Sequence, residues 1–496
     1  MQNCLMSVKK TSQILKLKLK KSKLAIIDIG SNSVRLVIYP DSGKYPYPLF
    51  NERINCRLGE KLFETGKLST RSISRALKAL QRFSIIIKNM EVKHIVPVAT
   101  AAVRNSKNNK EFILPAEKIL SSKIRILTKN EEAELAALGL VSNVPIKNGI
   151  IADLGGGSLE LILIKKGKIK KLESLDIGHL IPVNQHEIIN LFKSIKWLKN
   201  SNNINFYGTG GSFRSLGSAY IKDSNYPLYL IHGLSIKIEK SVLLLDKIMD
   251  AEKEFPGIPQ NRMPTIKNAA NIMQNLILVC DPKKIIITGT SIRDGIVSEL
   301  NPSKIINPDK SSNIKYFTKN QRFNGMQSAI KKFFDPLMGD LVGLKLKRLF
   351  KLACQLSDIS WNELSDLRGA IAAERIISLP LKNLLHKERI WLAQAIYHRY
   401  VGLKDKKSIS KKLISLLTEK EKQSAFAVGI GLRFLYTFSA GNPKNLDSID
   451  INIKNQKLVC VLKPKGKILF DSNSERRLKA FANACKLNYK IIDKNI

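Results

Sequence analysis

The chain has 496 residues, 44% hydrophobic and 7% aromatic. This composition excludes an intrinsically disordered protein, and the length exceeds what one hydrophobic core can serve, with a prior of roughly three domains. Lys and Arg number 83 against 41 Asp and Glu, a formal charge of +42. Such an excess points to a polyanionic partner, whether nucleic acid, a membrane surface or a polyphosphate-type substrate, although part of it reflects a chain rich in Lys, Ile and Asn throughout.

In chain order, residues 1–22 read as a solvated basic tail: ILKLKLKK alternates and never builds the apolar core of a signal peptide. Residues 23–40 predict a strand–turn–strand hairpin, and a third strand follows near 48–58, ending in CRLGE. Leu68–Met90 predicts an amphipathic helix with Ile73, Leu77, Leu80, Phe83 and Ile87 on one stripe and Ser69 or Thr70 as N-cap. A buried strand running into a loop is expected over 94–104, a helix over 110–120, a short strand over 123–128 and a helix over NEEAELAALGLVS. A second hairpin at 150–164 opens the next half, which continues through a strand at 203–211 with the helix SFRSLGSAY, and the strand–turn–helix of 285–300. This alternation predicts mostly parallel sheets covered on both faces. Past Pro302 the chain reads as helical and Lys-rich from about 315 to 437, with Leu341, Leu344, Leu349, Leu352 and Leu356 on stripes. A small basic α+β cap is expected from 447, its strands DINIK, LVCVLK and KILF followed by a helix capped by Ser474. The six cysteines, at 4, 56, 280, 354, 460 and 485, form no CxxC pair, which argues against a zinc site and a disulfide framework and places the chain in a reducing cytoplasm. No apolar run approaches the roughly 18 residues of a transmembrane helix.

The two hairpins are copies of one element. AIIDIGSNSVRLVI (25–38) and IIADLGGGSLELIL (150–163) align at an offset of 125, placing Asp28 on Asp153, Gly30 on Gly155 and Ser33 on Ser158. Small residues at such a turn bare backbone N–H groups, which suits a phosphate oxyanion, and an Asp at the strand end suits Mg²⁺. The pair reads as a phosphate clamp. GTGGSF at 208–213 lacks the third glycine of a dinucleotide fingerprint, so no Rossmann site is expected there.

Together with this duplication, Arg57-Leu58-Gly59-Glu60, ATAAVRNSKN, NEEAELAALG and the 285–297 strand–turn resemble the exopolyphosphatase / guanosine pentaphosphate phosphohydrolase family. The resemblance is continuous over about 23–305, and LACQLSDISW and DLRG look like the form found in alphaproteobacterial-type exopolyphosphatases. It implies an α/β fold of duplicated actin-like (ribonuclease H-like) domains, followed by an α-helical domain and a small α+β C-terminal domain. The expected boundaries are 23–145 and 146–305 for the actin-like domains, 306–440 for an HD-like helical domain and 441–496 for the last.

The same resemblance implies residue roles. Glu132 matches the acid that activates the attacking water, and Asp153 and Glu160 match metal- and water-associated carboxylates. Gly155, Gly156, Gly157 and Ser158 match one backbone phosphate cradle, and Asp28, Gly30, Ser31, Asn32 and Ser33 match the other. Arg104 and Asn108 fall where the family places phosphate-contacting side chains. Mg²⁺, with Mn²⁺ as an alternative, would be held by Asp153 with Asp28 or Glu160. Each side chain also has an ordinary reading: Glu132 as a solvated helix acid, Glu160 as a solvent-facing strand residue and Arg104 as a surface arginine. One departure stands out: where HD-type members carry a metal-binding His-Asp pair, this chain has Ser357-Asp358, and His386 and His398 are isolated. A second, HD-type centre is therefore not expected.

The activity so implied is hydrolysis of terminal phosphoanhydride bonds of inorganic polyphosphate, or of guanosine pentaphosphate, by a protein that the family suggests is a homodimer. The competing readings are an actin-fold kinase, for which no sugar-site segment is recognisable, and a non-catalytic polyanion-binding protein.

Overall fold

The computed structural model describes residues 22–40, 47–144, 146–181, 183–199, 201, 203–300, 314–318, 322, 325–337, 346–381, 383–403 and 409–493. The basic tail and the stripe positions Leu341 and Leu344 lie outside these, apart from Ser22 at the tail's end. The chain divides into two compact units, 1–308 and 309–496.

In the first unit, β1 (Leu24–Ile29), β2 (Ser33–Tyr39), β3 (Phe50–Asn55), β4 (His94–Ala99) and β5 (Arg125–Ile126) form a sheet in the order β3-β2-β1-β4-β5. A second sheet contains β6 (Gly149–Leu154), β7 (Leu159–Lys165), β8 (Lys168–Leu175), β9 (Asn205–Thr209), β10 (Leu234–Lys237) and β11 (Lys284–Ile287), in the order β10-β11-β9-β6-β7-β8. Counted from the hairpin, both sheets share an antiparallel meander of three strands continued by two parallel strands on the other side of the first, and the second sheet adds β10 at its edge, antiparallel to β11. The sheets are therefore mixed, not mostly parallel, because each begins with a tight hairpin that forces antiparallel pairing. This is the duplicated actin-like, ribonuclease H-like architecture.

Helices cover the sheets. α1 (Thr70–Asn89) starts at Ser69, whose hydroxyl accepts from the Ser72 N–H, and buries Ile73, Leu80, Phe83 and Ile87 against the first sheet. Beyond β4 the chain does not run into a loop but winds into one helical turn, α2 (Ala101–Arg104), before α3 (Asn109–Leu120). α4 (Lys129–Val141) follows β5, and in the second half α5 (Gly210–Asp223), α6 (Ile238–Asp250) and α7 (Met263–Cys280) pack around the second sheet, whereas α8 (Ile292–Leu300) packs with α4 against the first sheet through Ile292 and Ile296. α4 and α8 pack at glycine: a Cβ on Gly139 would lie 2.6 Å from the Ser291 carbonyl, and one on Gly295 would overlap that of Leu135. That contact locks the helix carrying Glu132 to the helix carrying Arg293.

The second unit has one continuous core. It runs from Ile314 through α9 (Lys347–Leu356), α10 (Arg368–Ser378), α11 (His386–Val401) and α12 (Glu419–Ser439) to Ala484 at the end of the C-terminal helix. It therefore crosses 440/441 without a break. Phe334, Phe350 and Phe481, far apart in sequence, meet edge to face with ring centroids 5.4 and 5.7 Å apart. KILF is not a strand. Pro464 opens a short helix, α13 (Pro464–Leu469), as proline at a first helical position favours. β12 (Ile449–Lys454) and β13 (Lys457–Leu462) pair as expected, and the third strand is β14 (Asn488–Asp493), parallel to β13. α14 (Ser472–Ala484) is capped by Asp471, whose carboxylate accepts from the Ser474 N–H at 2.8 Å, not by Ser474.

Asp358 of SDIS is buried between Arg322 at 2.8 Å and Arg399 at 3.1 Å, so guanidinium groups occupy its carboxylate. His398 packs edge-on between Tyr397 and Phe426, and His386 is buried. No described helix is long and apolar enough to cross a membrane.

Candidate active site

The β1–β2 and β6–β7 turns face one cleft within the first unit. Each turn closes on itself: Gly30 N–H donates to Ser33 O at 3.0 Å and Gly155 N–H to Ser158 O at 2.9 Å. Each is also gripped by a distant segment through its carbonyls. Cys56 and Arg57 donate to Asn32 O, and Gly59 donates to Ser31 O at 2.8 Å. In the second copy His179 donates to Gly155 O at 3.1 Å and Leu180 to Gly156 O at 2.9 Å. Gly178 lies so close to Gly156 that a Cβ there would fall on its carbonyl. With the carbonyls held, the N–H groups of Ser31, Asn32, Gly156 and Gly157 make no backbone bond among the described residues. Such N–H groups can receive an oxyanion.

The acids gather at the second turn. Asp153 and Glu160 are register partners across β6–β7, so both side chains project to one face of the sheet. Glu160 is 2% exposed and accepts from Ser174 Oγ at 3.3 Å. Glu132 enters from α4, and the cap explains which of the two adjacent acids does so. Thr128 and Glu131 form a capping box that ties Glu131 to the helix start, leaving Glu132 to face the cleft. Burial, then the Glu132 and Asp153 charges, raises the Glu160 pKa well above the ordinary carboxyl range. Burial, offset by Arg104, lifts Glu132 to about 7, and burial, offset by Arg214, lifts Asp153 to about 6.

The first turn is the chemical complement of the second. At the offset of 125, Glu160 corresponds to Arg35, and Arg35 is the register partner of Asp28 as Glu160 is of Asp153. Arg53, Arg214, Arg262 and Arg293 join Arg35 on the cleft walls. Burial, then neighbouring positive charge, lowers Arg35 and Arg214 to about 10, the mark of cations crowded together. Gly210 at the start of α5 has φ +88 and abuts Asp153, where a Cβ would collide with the carboxylate, so the GTGG turn reaches the cleft as well.

Of the sequence-derived residues, Asp28, Gly30, Ser31, Asn32, Ser33, Glu132, Asp153, Gly155, Gly156, Gly157, Ser158 and Glu160 line this cleft. Arg104 and Asn108 do not. Arg104 sends Nη1 to Glu132 Oε2 at 2.7 Å and to Leu127 O at 2.8 Å, so it holds the acid. Asn108 is a staple: its amide bonds both backbone groups of Leu68, at 2.8 and 3.0 Å. Asp28 is ion-paired to Arg293, which occupies its carboxylate. Among the described residues no cluster of three or more His, Cys, Asp and Glu has ligating geometry for a metal. Sequence reasoning missed Arg35, Arg53, Arg214, Arg262, Arg293 and His179. Only Arg35 carried a readable signal, its alignment with Glu160.

Fold and cleft together define a protein of the actin-like class that handles phosphoryl groups. The chain belongs to the Ppx/GppA phosphatase family, whose model matches residues 36–304. A second model, "Exopolyphosphatase, C-terminal", matches residues 344–492. Guanosine-5'-triphosphate,3'-diphosphate pyrophosphatases of Aeromonas hydrophila and Aeromonas salmonicida are 29% identical over 163 residues, which is 33% of this chain and 33% of each relative. The match thus spans a third of those relatives' length. Among solved structures, an exopolyphosphatase from Cytophaga hutchinsonii is 20% identical, with a TM-score of 0.51 over 57% of this chain and 99% of that one, a likeness of fold.

Proposed function

We propose that this protein is an exopolyphosphatase that hydrolyses the terminal phosphoanhydride bond of inorganic polyphosphate and releases orthophosphate. The observation that carries the reading is the complementarity of the duplicated turn, with Asp153 and Glu160 paired in one copy and Asp28 and Arg35 in the other, facing one cleft. Arginines and bare N–H groups suit the equatorial charge of a transferring phosphoryl group, and a buried acid suits an in-line water. Glu132 orients that water and accepts its proton, with Arg104 fixing the carboxylate that does so. The two turns and Arg35, Arg53 and Arg262 hold the neighbouring phosphates.

The donor set fits a hard divalent cation. Asp153 and Glu160 share a face, and both are raised in pKa by burial and by carboxylate neighbours, a strain that a cation would relieve. When bound there, Mg²⁺ or Mn²⁺ would neutralise charge on phosphoryl oxygens. Hydrolysis of guanosine pentaphosphate is the second reading, favoured by the named Aeromonas relatives. Five described cysteines are free, which supports a reducing cytoplasmic setting.

The test follows orthophosphate release from the purified protein with Mg²⁺, given long-chain polyphosphate, guanosine pentaphosphate, or ATP with sugars. Rapid release from polyphosphate is expected, with kcat down by about 10²- to 10⁴-fold in Glu132→Gln. A Glu132→Gln enzyme with the wild-type rate would falsify the mechanism.

A further inference from the structure

One polar side chain on the cleft wall has no part in that chemistry, and one of its ring nitrogens is buried without a partner among the described residues. His179 is 8% exposed and lines the cleft, and its ring Nδ1 is buried without a hydrogen bond among the described residues. Buried polar atoms are nearly always paired, since an unpaired one forfeits the bond it made to water. An orphan on a cleft-lining side chain marks a place a ligand completes. The backbone that presents the ring is pinned on both sides. His179 and Leu180 donate to the carbonyls of Gly155 and Gly156, and Asn268 Nδ2 donates to Gly178 O at 3.0 Å and Ile181 O at 2.5 Å. The charged groups acting on the ring are Arg262 and Arg53, and with burial they lower its pKa to about 4. At neutral pH it is therefore an uncharged imidazole with a single ring N–H, in the positive field of two guanidinium groups. A further cation there would add to the repulsion among the arginines, whereas a neutral donor adds direction alone.

We propose that His179 is a substrate-binding residue, its Nδ1–H donating to a non-bridging oxygen of the phosphate seated against the second glycine turn, beside Arg53 and Arg262. The assignment rests on the phosphoanhydride reading above. It gives the 177–181 segment two tasks, holding the turn through its backbone and touching the ligand through its one polar ring.

The experiment titrates tripolyphosphate into the full-length protein by calorimetry at pH 7 with EDTA present, so that binding is read apart from turnover. His179→Leu keeps the bulk and removes both nitrogens, His179→Ala removes the ring, and His179→Asn returns an N–H near the Nδ1 position. Affinity is expected to fall about tenfold or more in the Leu and Ala variants and to return to within roughly threefold of wild type in Asn. Wild-type affinity in the Leu or Ala variant, or an Asn variant as weak as Leu, overturns the assignment. Loss of affinity in a Leu variant that melts no lower than wild type excludes unfolding as its cause. A wild-type protein that binds tripolyphosphate yet releases no orthophosphate from polyphosphate sinks the proposed activity and leaves this contact standing. A wild-type protein that binds none sinks both.

Discussion

Glu131 and Glu132 are neighbours in the first turn of α4, and their surroundings give them different work. Glu131 is spent on the Thr128 cap and on Arg125 at 2.7 Å, while Glu132 is buried beside Arg104. Sequence reasoning reached Glu132 through its motif, but it could not say which way the polar residues after β4 would turn. Arg104 ends a single helical turn that aims it back at Glu132 and Leu127, and Asn108 is used up on Leu68. Proximity in sequence to a phosphate loop does not set a side chain's direction. A consequence is that Arg104 acts through Glu132, whose pKa of about 7 it holds down against burial. Arg104→Met should lower kcat/KM about 10- to 100-fold at pH 7, move the rising limb of the pH profile upward, and be partly rescued by Arg104→Lys. An unshifted profile would count against the positioning role. His179 supplies a second pH signature, in stability. Its folded pKa of about 4 lies below the ordinary histidine value of 6.5, so between those values the unfolded chain binds more protons. Stability is full above pH 6.5 and drains as pH falls towards 4, by roughly 2 to 3 kcal/mol from this residue alone. Denaturant titrations at pH 7 and pH 4.5 should show wild type losing that much more than His179→Leu.

At the scale of elements, the doubled hairpin was legible because its apolar runs, acids and glycines repeat in register. The segments that hold the turns were not. CRLG and IGHL serve equivalent turns, gripping Ser31 and Asn32 in one and Gly155 and Gly156 in the other, yet they share little beyond a glycine. What they supply is backbone N–H, which leaves almost no trace in side-chain identity. Their glycines are not equally demanding. A Cβ on Gly59 would sit 3.2 Å from Ser31 Cβ, a contact a small shift relieves, whereas one on Gly178 would coincide with the Gly156 carbonyl. Gly178→Ala must therefore displace the second turn, and Gly59→Ala need not move the first very far. Gly178→Ala is expected to cost about 1–3 kcal/mol of stability and at least tenfold in phosphate affinity, with Gly59→Ala well under half of each. Equal effects in melting and phosphate-binding measurements would show that the close approach does not set the turn's position. The same limit explains KILF, where alternation suggested a strand but Pro464 and a better parallel partner in β14 decided otherwise.

For the whole molecule, the duplication of an α/β unit could be read from sequence, whereas the convergence of its charges could not. Arg35, Arg53, Arg214, Arg262 and Arg293 come from five separate stretches and meet only because two sheets of like topology bring their turns together. Their mutual repulsion is what an anionic ligand relieves, which gives the cleft a local, short-range demand for a few phosphates. The +42 of the full chain is a different quantity, spread far beyond these five side chains. The two make separable predictions about salt. A short anion such as tripolyphosphate engages the partly buried cleft arginines, where screening is weak, so its affinity should change little with ionic strength. A long polyphosphate that also lies along exposed lysines releases counterions at each one. If six or more such contacts form, its affinity should fall by about 10³-fold or more between 50 and 200 mM salt, with log Kd linear in log salt concentration. Measuring both ligands on the full-length protein without divalent metal gives the two slopes directly. A steep slope for the long chain beside a shallow one for the short chain assigns the excess charge to substrate capture. Parallel slopes would instead mean that the surface lysines take no part in binding and that the cleft alone selects the substrate.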